Sequence, residues 1–223
     1  MHAVVFDLDG VLIDSEQLWD AARRDLAASA GRAWPDGATR AMQGMSTAEW
    51  STYLATTVGI LSPSPLIAER VIDAMARRYA VAVPFMPGAV DAVERMASRW
   101  PLGLASSSPR RLIDMVLSSS PLGPLFEVTV STEEVAAGKP SPVVYEDVVR
   151  RLGADPAQTV AIEDSSNGLR SAHAAGLIVV AVPNAAYPPA PEALALADAI
   201  LPSLDALVPS LVDRLLESSD RPH

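Results

Sequence analysis

Five short apolar segments, separated by helix-like stretches, constrain the fold of this chain more than any other feature. They are residues 3–6, 102–105, 127–130, 159–162 and 177–182, of which 127–130 is the weakest. Short, apolar, β-branched runs of this kind predict buried strands. Strands that alternate with helices predict a parallel sheet that is covered on both faces. We therefore expect an α/β core.

Residues 15–84, called the helical insert below, interrupt this alternation. Helical periodicity is present at 17–29, 47–58 and 66–82, with no convincing strand between them. The insert has seven arginines and seven acidic residues, so the rest of the chain carries the whole net charge of −10. We predict two domains: an α/β core formed by residues 1–14 and 85–223, and an α-helical domain formed by the insert. The paired arginines of the insert, Arg23 with Arg24 and Arg77 with Arg78, are expected on solvated helix faces, with contact between one of them and the substrate as the alternative.

Composition excludes several classes of function. The chain has 17 basic and 27 acidic residues, a balance that repels nucleic acids and acidic membrane surfaces. It has no cysteine, and so no disulfide, thiol nucleophile or thiolate metal site. No apolar run reaches the roughly 20 residues of a membrane helix. We expect a cytoplasmic monomer that binds neither nucleic acid nor membrane.

The first candidate motif is Asp7-Leu8-Asp9-Gly10, which directly follows the first predicted strand. Alternation along an extended segment points Asp7 and Asp9 the same way. Two acids at a buried strand end are costly unless a cation or a proton lies between them. Asp and Gly are also common turn residues, so the motif alone is equally consistent with a surface turn.

Two further motifs each lie between a strand and a helix. Ser106, Ser107 and Ser108 follow the second strand and precede a proline, where hydroxyls and free N–H groups form an anion site. Lys139, the only lysine of the chain, precedes a predicted helix at 143–152, where helix dipoles favour anions. Helix capping by the serines and a solvated lysine are the alternative interpretations.

The fourth motif is Glu163-Asp164, at the end of the predicted strand 159–162. Adjacent residues cannot both face one site along a regular strand. We therefore expect Asp164 to reach the site and Glu163 to support it, or the reverse. An all-oxygen cluster of Asp7, Asp9 and Asp164 suits a hard ion such as Mg²⁺.

Together the four motifs predict a metal-assisted phosphoryl-transfer site, because parallel sheets bind ligands at the carboxyl ends of their strands. In order and type they resemble the haloacid dehalogenase (HAD) superfamily, in the branch that includes β-phosphoglucomutase and small-molecule phosphatases. The resemblance extends nearly from end to end. It implies a Rossmann-like parallel sheet in the core, and it implies that the helical insert is an α-helical cap domain governing substrate specificity.

The resemblance also implies a role for each motif. Asp7 would be the nucleophile that forms an aspartyl-phosphate, and Asp9 would be the general acid and base. Mg²⁺ would be held by the side chains of Asp7 and Asp164 and by the backbone carbonyl of Asp9. Lys139 would neutralise the charge of the nucleophile and of the transferring group. The residues implied to contact the substrate are Ser106, Ser107, Lys139, Gly44 and Trp19.

Three positions separate the possible reactions. Asp9 favours phosphate chemistry, since the dehalogenases of the superfamily need no acid there. Trp19 and Thr47 stand where mutases of this branch carry a histidine and a phosphate-binding arginine. Packing between the domains is an equally good interpretation of Trp19.

Val143 replaces an aspartate that often follows Lys-Pro-x-Pro, which implies a weaker hold on Lys139.

We therefore predict a Mg²⁺-dependent phosphatase of a small phosphomonoester, a sugar phosphate by resemblance. The alternative is a β-phosphoglucomutase-type phosphosugar mutase. A third hypothesis is a binding or regulatory module. The presence of the whole catalytic set argues against it, namely Asp7, Asp9, Lys139 and Asp164.

Overall fold

The computed structural model describes residues 1–42 and 45–219 and has a six-stranded parallel sheet at its centre. The strands are β1 (Ala3–Phe6), β2 (Leu102–Ser106), β3 (Phe126–Ser131), β4 (Thr159–Glu163), β5 (Ile178–Ala181) and β6 (Ala199–Ile200). Their order is β3-β2-β1-β4-β5-β6, with every neighbouring pair parallel. The predicted α/β fold is confirmed.

Helices lie between successive strands and after the last one. In the described ranges they are α1 (Glu16–Ser29), α2 (Ala38–Ala41), α3 (Thr47–Thr56), α4 (Ser64–Val81), α5 (Ala89–Ala97), α6 (Arg110–Ser118), α7 (Val143–Leu152), α8 (Ser166–Ala174), α9 (Pro191–Leu194) and α10 (Pro209–Ser219). None of them combines the length and the apolar character that a membrane crossing requires.

The sheet is buried on both faces because its strands are apolar at successive positions. Val4 and Phe6 of β1 belong to one hydrophobic cluster, and Ala3 and Val5 belong to a second on the opposite face. The second cluster includes residues of α7 and α8, among them Tyr145. Each Å² of apolar surface that is buried on either face contributes about 25 cal/mol to stability, and this burial holds the three layers together.

The helical insert connects to the sheet through two chain segments that lie side by side. Ile13 and Phe85 form an isolated antiparallel bridge. Beside it, the N–H of Asp14 donates to the carbonyl of Pro84 at 2.8 Å. The chain therefore leaves the core and returns to it at one place. This pairing supports the predicted division at residues 14 and 85, which stays a prediction.

The order of the strands reverses between β1 and β4. From β1 the chain proceeds to β2 and β3 on one side of the sheet, and then crosses back to β4 on the other side. In open parallel sheets such a switch point creates a crevice at the carboxyl ends of the strands. The predicted site residues that follow β1, β2 and β4 are gathered around this crevice.

Candidate active site

The carboxyl end of β1 carries the two aspartates of the first motif. Asp7 follows the strand directly, and its N–H donates to the carbonyl of Ile162 in β4 at 3.0 Å. Gly10 then turns the chain with a φ of +85°, and a Cβ there would lie 2.0 Å from Oδ2 of Asp164. Glycine both allows the turn and leaves room for that carboxylate. Asp7 and Asp9 line the same cavity, as alternation predicts.

Asp9 accepts hydrogen bonds at both of its carboxylate oxygens. Its Oδ1 accepts from the hydroxyl of Ser15 and from the indole N–H of Trp19, the latter at 3.3 Å. Its Oδ2 accepts from the hydroxyl of Ser108 at 2.6 Å. Because these donors come from different elements, the carboxyl group has a defined orientation, which is what proton transfer to one substrate atom requires.

Ser106 ends β2 and is fully buried. Its Oγ accepts from the N–H of Ser108 at 3.0 Å and lies 3.5 Å from Oδ2 of Asp9. Ser107 and Ser108 line the cavity, while Ser106 lies behind its wall. The hydroxyl of Ser131 donates to the carbonyl of Ser108 at 2.7 Å and holds this loop. Contact between Ser106 and a substrate stays a prediction.

Lys139 precedes α7, and its side chain is only 4% exposed. Its ammonium donates to Oδ1 of Asp7 at 2.6 Å, to the carbonyl of Ala105 at 3.0 Å and to Oε1 of Glu163 at 2.5 Å. An ammonium has three protons, so these acceptors match its donors. The weaker hold implied by Val143 stays a prediction; in the structure the carboxylates of both Asp7 and Glu163 accept from Lys139.

Glu163 is the fully buried last residue of β4. Besides Lys139, its Oε1 accepts from the hydroxyl of Tyr145 at 2.8 Å. Its Oε2 accepts from the N–H of Asp164 at 3.1 Å and from the hydroxyl of Ser165 at 3.2 Å. Both oxygens are therefore occupied by protein donors. Of the two arrangements left open by the sequence, the one with Glu163 in the supporting position is found.

Asp164 faces the cavity, and its Oδ1 is buried without a hydrogen-bond partner among the described residues. Carboxylate oxygens of Asp7, Glu163 and Asp164 lie within 4.8 Å of one another. Hard oxygen donors in such a cluster suit Mg²⁺. Since Glu163 is already saturated, Asp7 and Asp164 are the side chains of this cluster that are free to bind a cation. The residues present fit the metal.

Burial and crowding of the carboxylates set the electrostatics of the site. Burial raises the pKa of Asp7 to about 8; Lys139 opposes this rise, and Glu163 and Asp9 add to it. Burial, followed by the charges of Glu163 and Asp7, raises the pKa of Asp164 well above its ordinary value. Burial alone would lower the pKa of Lys139, but Asp7 and Glu163 raise it. The lysine therefore stays charged, and the excess negative charge favours a bound cation.

A cavity of about 290 Å³ lies between the strand ends and the helical insert. Trp19 lines it, is 5% exposed, and packs against Trp50 with ring centroids 5.9 Å apart. Trp19 thus packs within the helical insert and also borders the cavity, and its contact with a substrate stays a prediction. Arg23 is 7% exposed, so its expected place on a solvated face is wrong. Gly44 lies outside the described residues.

Tyr145 and Ser108 belong to the site but were not among the predicted catalytic residues. Tyr145 lies six residues after Lys139, and no local pattern connects a tyrosine at this distance with a carboxylate on another strand. The contact of Ser108 with Asp9 could have been predicted, because Ser108 is the third hydroxyl residue at the end of β2 and Asp9 follows the neighbouring strand β1. Local spacing does not show which side chains of distant segments contact each other.

The comparisons with known proteins agree with this geometry. Residues 1–176 match the family model of haloacid dehalogenase-like hydrolases. The chain is 36% identical over 218 residues to hexitol phosphatase B of Escherichia coli, covering 92% of this chain and 93% of that protein. It is 34% identical over 178 residues to a phosphorylated carbohydrates phosphatase of Thermotoga maritima, covering 79% of this chain and 82% of that protein.

A solved structure extends the likeness to three dimensions. CbbY from Rhodobacter sphaeroides, crystallised with phosphate, superposes with a TM-score of 0.84 at 27% identity, over 96% of this chain and 99% of that one. The sequence match, the relatives above 30% identity and the shared fold lead to the same assignment. The chain belongs to the haloacid dehalogenase-like hydrolase family.

Proposed function

We propose that the protein is a Mg²⁺-dependent phosphatase that hydrolyses a small phosphorylated sugar or polyol through an aspartyl-phosphate on Asp7. The observation that carries the proposal is the position of Asp7. Its carboxylate lines the cavity and accepts a hydrogen bond from Lys139 at 2.6 Å. Asp164 lies beside it, and Asp9 lines the same cavity. The names of the hexitol and carbohydrate phosphatases among its relatives support the substrate class.

In the first half-reaction, a carboxylate oxygen of Asp7 attacks the phosphorus of the substrate. A new O–P bond forms on Asp7 while the bond between phosphorus and the substrate oxygen breaks. The carboxyl group of Asp9 gives its proton to that leaving oxygen, so the sugar departs as a neutral alcohol. The hydrogen bonds from Ser108 and Trp19 keep Asp9 oriented for this transfer.

In the second half-reaction, Asp9 is ionised and takes a proton from a water molecule. The oxygen of that water attacks phosphorus, the bond between phosphorus and Asp7 breaks, and inorganic phosphate leaves. Asp9 is then protonated and Asp7 is a free carboxylate, as at the start. The same two aspartates therefore serve both halves of the cycle.

Charge compensation has two sources in this proposal. Lys139 stays charged and offsets the negative charge of Asp7 and of the phosphoryl oxygens. Asp7, Asp164 and the backbone carbonyl of Asp9 would hold Mg²⁺, which would supply electrostatic stabilisation of the transferring phosphoryl group. Exclusion of bulk water by the helical insert strengthens both effects.

Phosphate release from a panel of phosphomonoesters tests the proposal. The panel contains hexose and hexitol phosphates, phosphoglycolate and nucleotides, each with Mg²⁺ and with EDTA. We expect the highest kcat/KM with a phosphorylated sugar or polyol, complete dependence on the metal, and a drop of Asp7→Asn below about one thousandth of the original kcat.

Asp91→Asn is the matched control, because Asp91 is an exposed aspartate in α5 outside the cavity. It should retain full activity. Hydrolysis that persists in Asp7→Asn, or that is indifferent to EDTA, contradicts the proposal. Interconversion of β-glucose 1-phosphate and glucose 6-phosphate faster than hydrolysis supports the mutase instead.

A further inference from the structure

The guanidinium of Arg23 lies against two neighbouring indole rings at the wall of the cavity. Its central carbon is 5.1 Å from the ring centroid of Trp19 and 5.1 Å from that of Trp50. Arg23 follows Trp19 by one helical turn in α1, and Trp50 comes from α3. The side chain is 7% exposed and borders the same cavity as Asp7.

Arg23 has no hydrogen-bond or ion-pair partner within residues 1–42 and 45–219, and its Nε is a buried donor without an acceptor. The neighbouring Arg24, by contrast, donates to Asp20 at 2.6 Å and to Thr39 at 2.9 Å. A guanidinium remains charged and costs free energy when it is buried without acceptors. Stacking on two indoles offsets part of that cost and leaves the N–H groups at its edge available.

Trp19 connects this guanidinium with the reaction centre. Its indole N–H donates to Asp9 at 3.3 Å, while its ring lies against Arg23. One indole therefore separates the proposed general acid from the unpartnered donors. Arg23 and Asp7 border the same cavity, so a substrate whose phosphoryl group reaches Asp7 can place its other end near Arg23.

The surroundings of Arg23 indicate which acceptor it takes. Burial lowers its pKa to about 10, and the charges of Glu16, Asp20 and Asp9 oppose that change. Three carboxylates therefore act on its charge without forming an ion pair with it, and one of them, Glu16, also borders the cavity. A second phosphoryl group would be repelled by these acids. Hydroxyl groups can accept from Arg23 and donate to Glu16, without adding charge.

We propose that Arg23 is a specificity-determining residue that binds hydroxyl oxygens of the substrate at the end remote from its phosphoryl group. The substrate is accordingly a monophosphate of a polyol or sugar, not a bisphosphate. This inference rests on the proposed function, since the same cavity holds both ends of the substrate. It assigns the recognition to one residue of the helical insert.

Steady-state kinetics of Arg23→Met with two substrates tests the proposal. Sorbitol 6-phosphate carries hydroxyls along its whole chain, whereas phenyl phosphate carries none. We expect KM for sorbitol 6-phosphate to rise about tenfold to hundredfold, since hydrogen bonds from a charged donor are lost. With phenyl phosphate both kcat and KM should change less than about threefold.

Arg24→Met is the matched control, because Arg24 also stacks on an indole, that of Trp34 at 4.9 Å, but lies outside the cavity. It should leave both substrates unaffected. Arg23→Lys keeps the charge and loses the planar fork, so it should give an intermediate KM and a folded protein. Equal losses with both substrates in Arg23→Met and Arg23→Lys overturn the proposal, because they indicate a structural role.

Two more outcomes are decisive. Wild-type preference for glucose 1,6-bisphosphate over sorbitol 6-phosphate, abolished in Arg23→Met, overturns the hydroxyl assignment and makes Arg23 an anion site. If no phosphomonoester is hydrolysed, phenyl phosphate included, the proposed function fails. Calorimetric binding of sorbitol 6-phosphate then tests Arg23 separately: weaker binding by Arg23→Met than by Arg24→Met supports the inference, and equal binding overturns it.

Discussion

The hydroxyl of Tyr145 donates to Oε1 of Glu163 at 2.8 Å, the same oxygen that accepts from Lys139 at 2.5 Å. Tyr145 is fully buried, and its ring centroid lies 5.0 Å from the ammonium. Burial and the charge of Glu163 raise the pKa of Tyr145, so the phenol remains a donor. Tyr145 thus acts on Asp7 through Glu163 and Lys139, as a positioning residue.

Tyr145→Phe should lower kcat about tenfold, the lower range for residues that orient charged groups of a site. KM should change less than about twofold, because the tyrosine does not border the cavity. The free energy of unfolding should fall by roughly 1.5–3 kcal/mol, since a buried hydrogen bond to a carboxylate is lost. Steady-state kinetics and urea unfolding measure both effects.

Tyr53→Phe is the control for that experiment, because Tyr53 is a partly buried tyrosine of α3 that contacts neither Lys139 nor Glu163. It should keep kcat unchanged. A loss of stability in Tyr145→Phe without any change in kcat would show that the tyrosine only packs.

Val143→Asp should leave kcat within about twofold of the original value. Many relatives by resemblance carry an aspartate at this position, but the three protons of Lys139 already have Asp7, Glu163 and Ala105 as acceptors. An added carboxylate finds no free donor on the lysine. A rise in kcat well above twofold would mean that Lys139 is held less firmly than these distances indicate.

Most of the fold could be predicted from local pattern, because β1, β2, β4 and β5 are short and mainly apolar. β1 begins and ends where the pattern predicts, and α7 covers the predicted 143–152. β6 could not be predicted, since its two residues are half exposed or exposed and carry no period. α2 is likewise a single turn, too short for a helical pattern to appear.

The acidic residues and the lysine of the site were predictable because each follows a strand, and the carboxyl ends of parallel strands meet. The residues that form hydrogen bonds with these groups could not be predicted. The occupation of Glu163 by Tyr145 and Lys139 depends on three elements far apart in sequence. The burial of Arg23 could not be predicted, because an arginine in a helix is usually solvated and its contact with Trp50 involves another helix.

Gly168→Ala should displace the carboxylate of Glu163, although alanine favours helices. A Cβ at Gly168 would lie 1.9 Å from Oε1 of Glu163, and that carboxylate cannot move without losing the hydrogen bonds of Tyr145 and Lys139. We expect a net loss of about 1–3 kcal/mol of stability and a fall in kcat greater than that of Tyr145→Phe. Thermal unfolding and kinetics check it; an active variant of unchanged Tm would refute the argument.

Mg²⁺ binding and stability should depend on pH in opposite directions, because both involve the same buried carboxylates. In the metal-free folded protein burial raises the pKa of Asp7 to about 8 and also raises that of Asp164. In the unfolded chain both carboxyl groups have a pKa of about 4. Between these values the folded state holds more protons, so its free energy of unfolding falls as the pH rises.

Thermal unfolding with EDTA and with excess Mg²⁺, at about pH 5 and about pH 8, checks this dependence. The cation competes with protons for Asp7 and Asp164, so it binds more tightly as they ionise. We expect the Tm with EDTA to decrease across this range and the Tm gain from Mg²⁺ to increase. Asp164→Asn removes one of these carboxylates and should reduce both trends. A Tm gain that is equal at the two pH values would contradict the raised pKa values, since metal binding would then be independent of their ionisation.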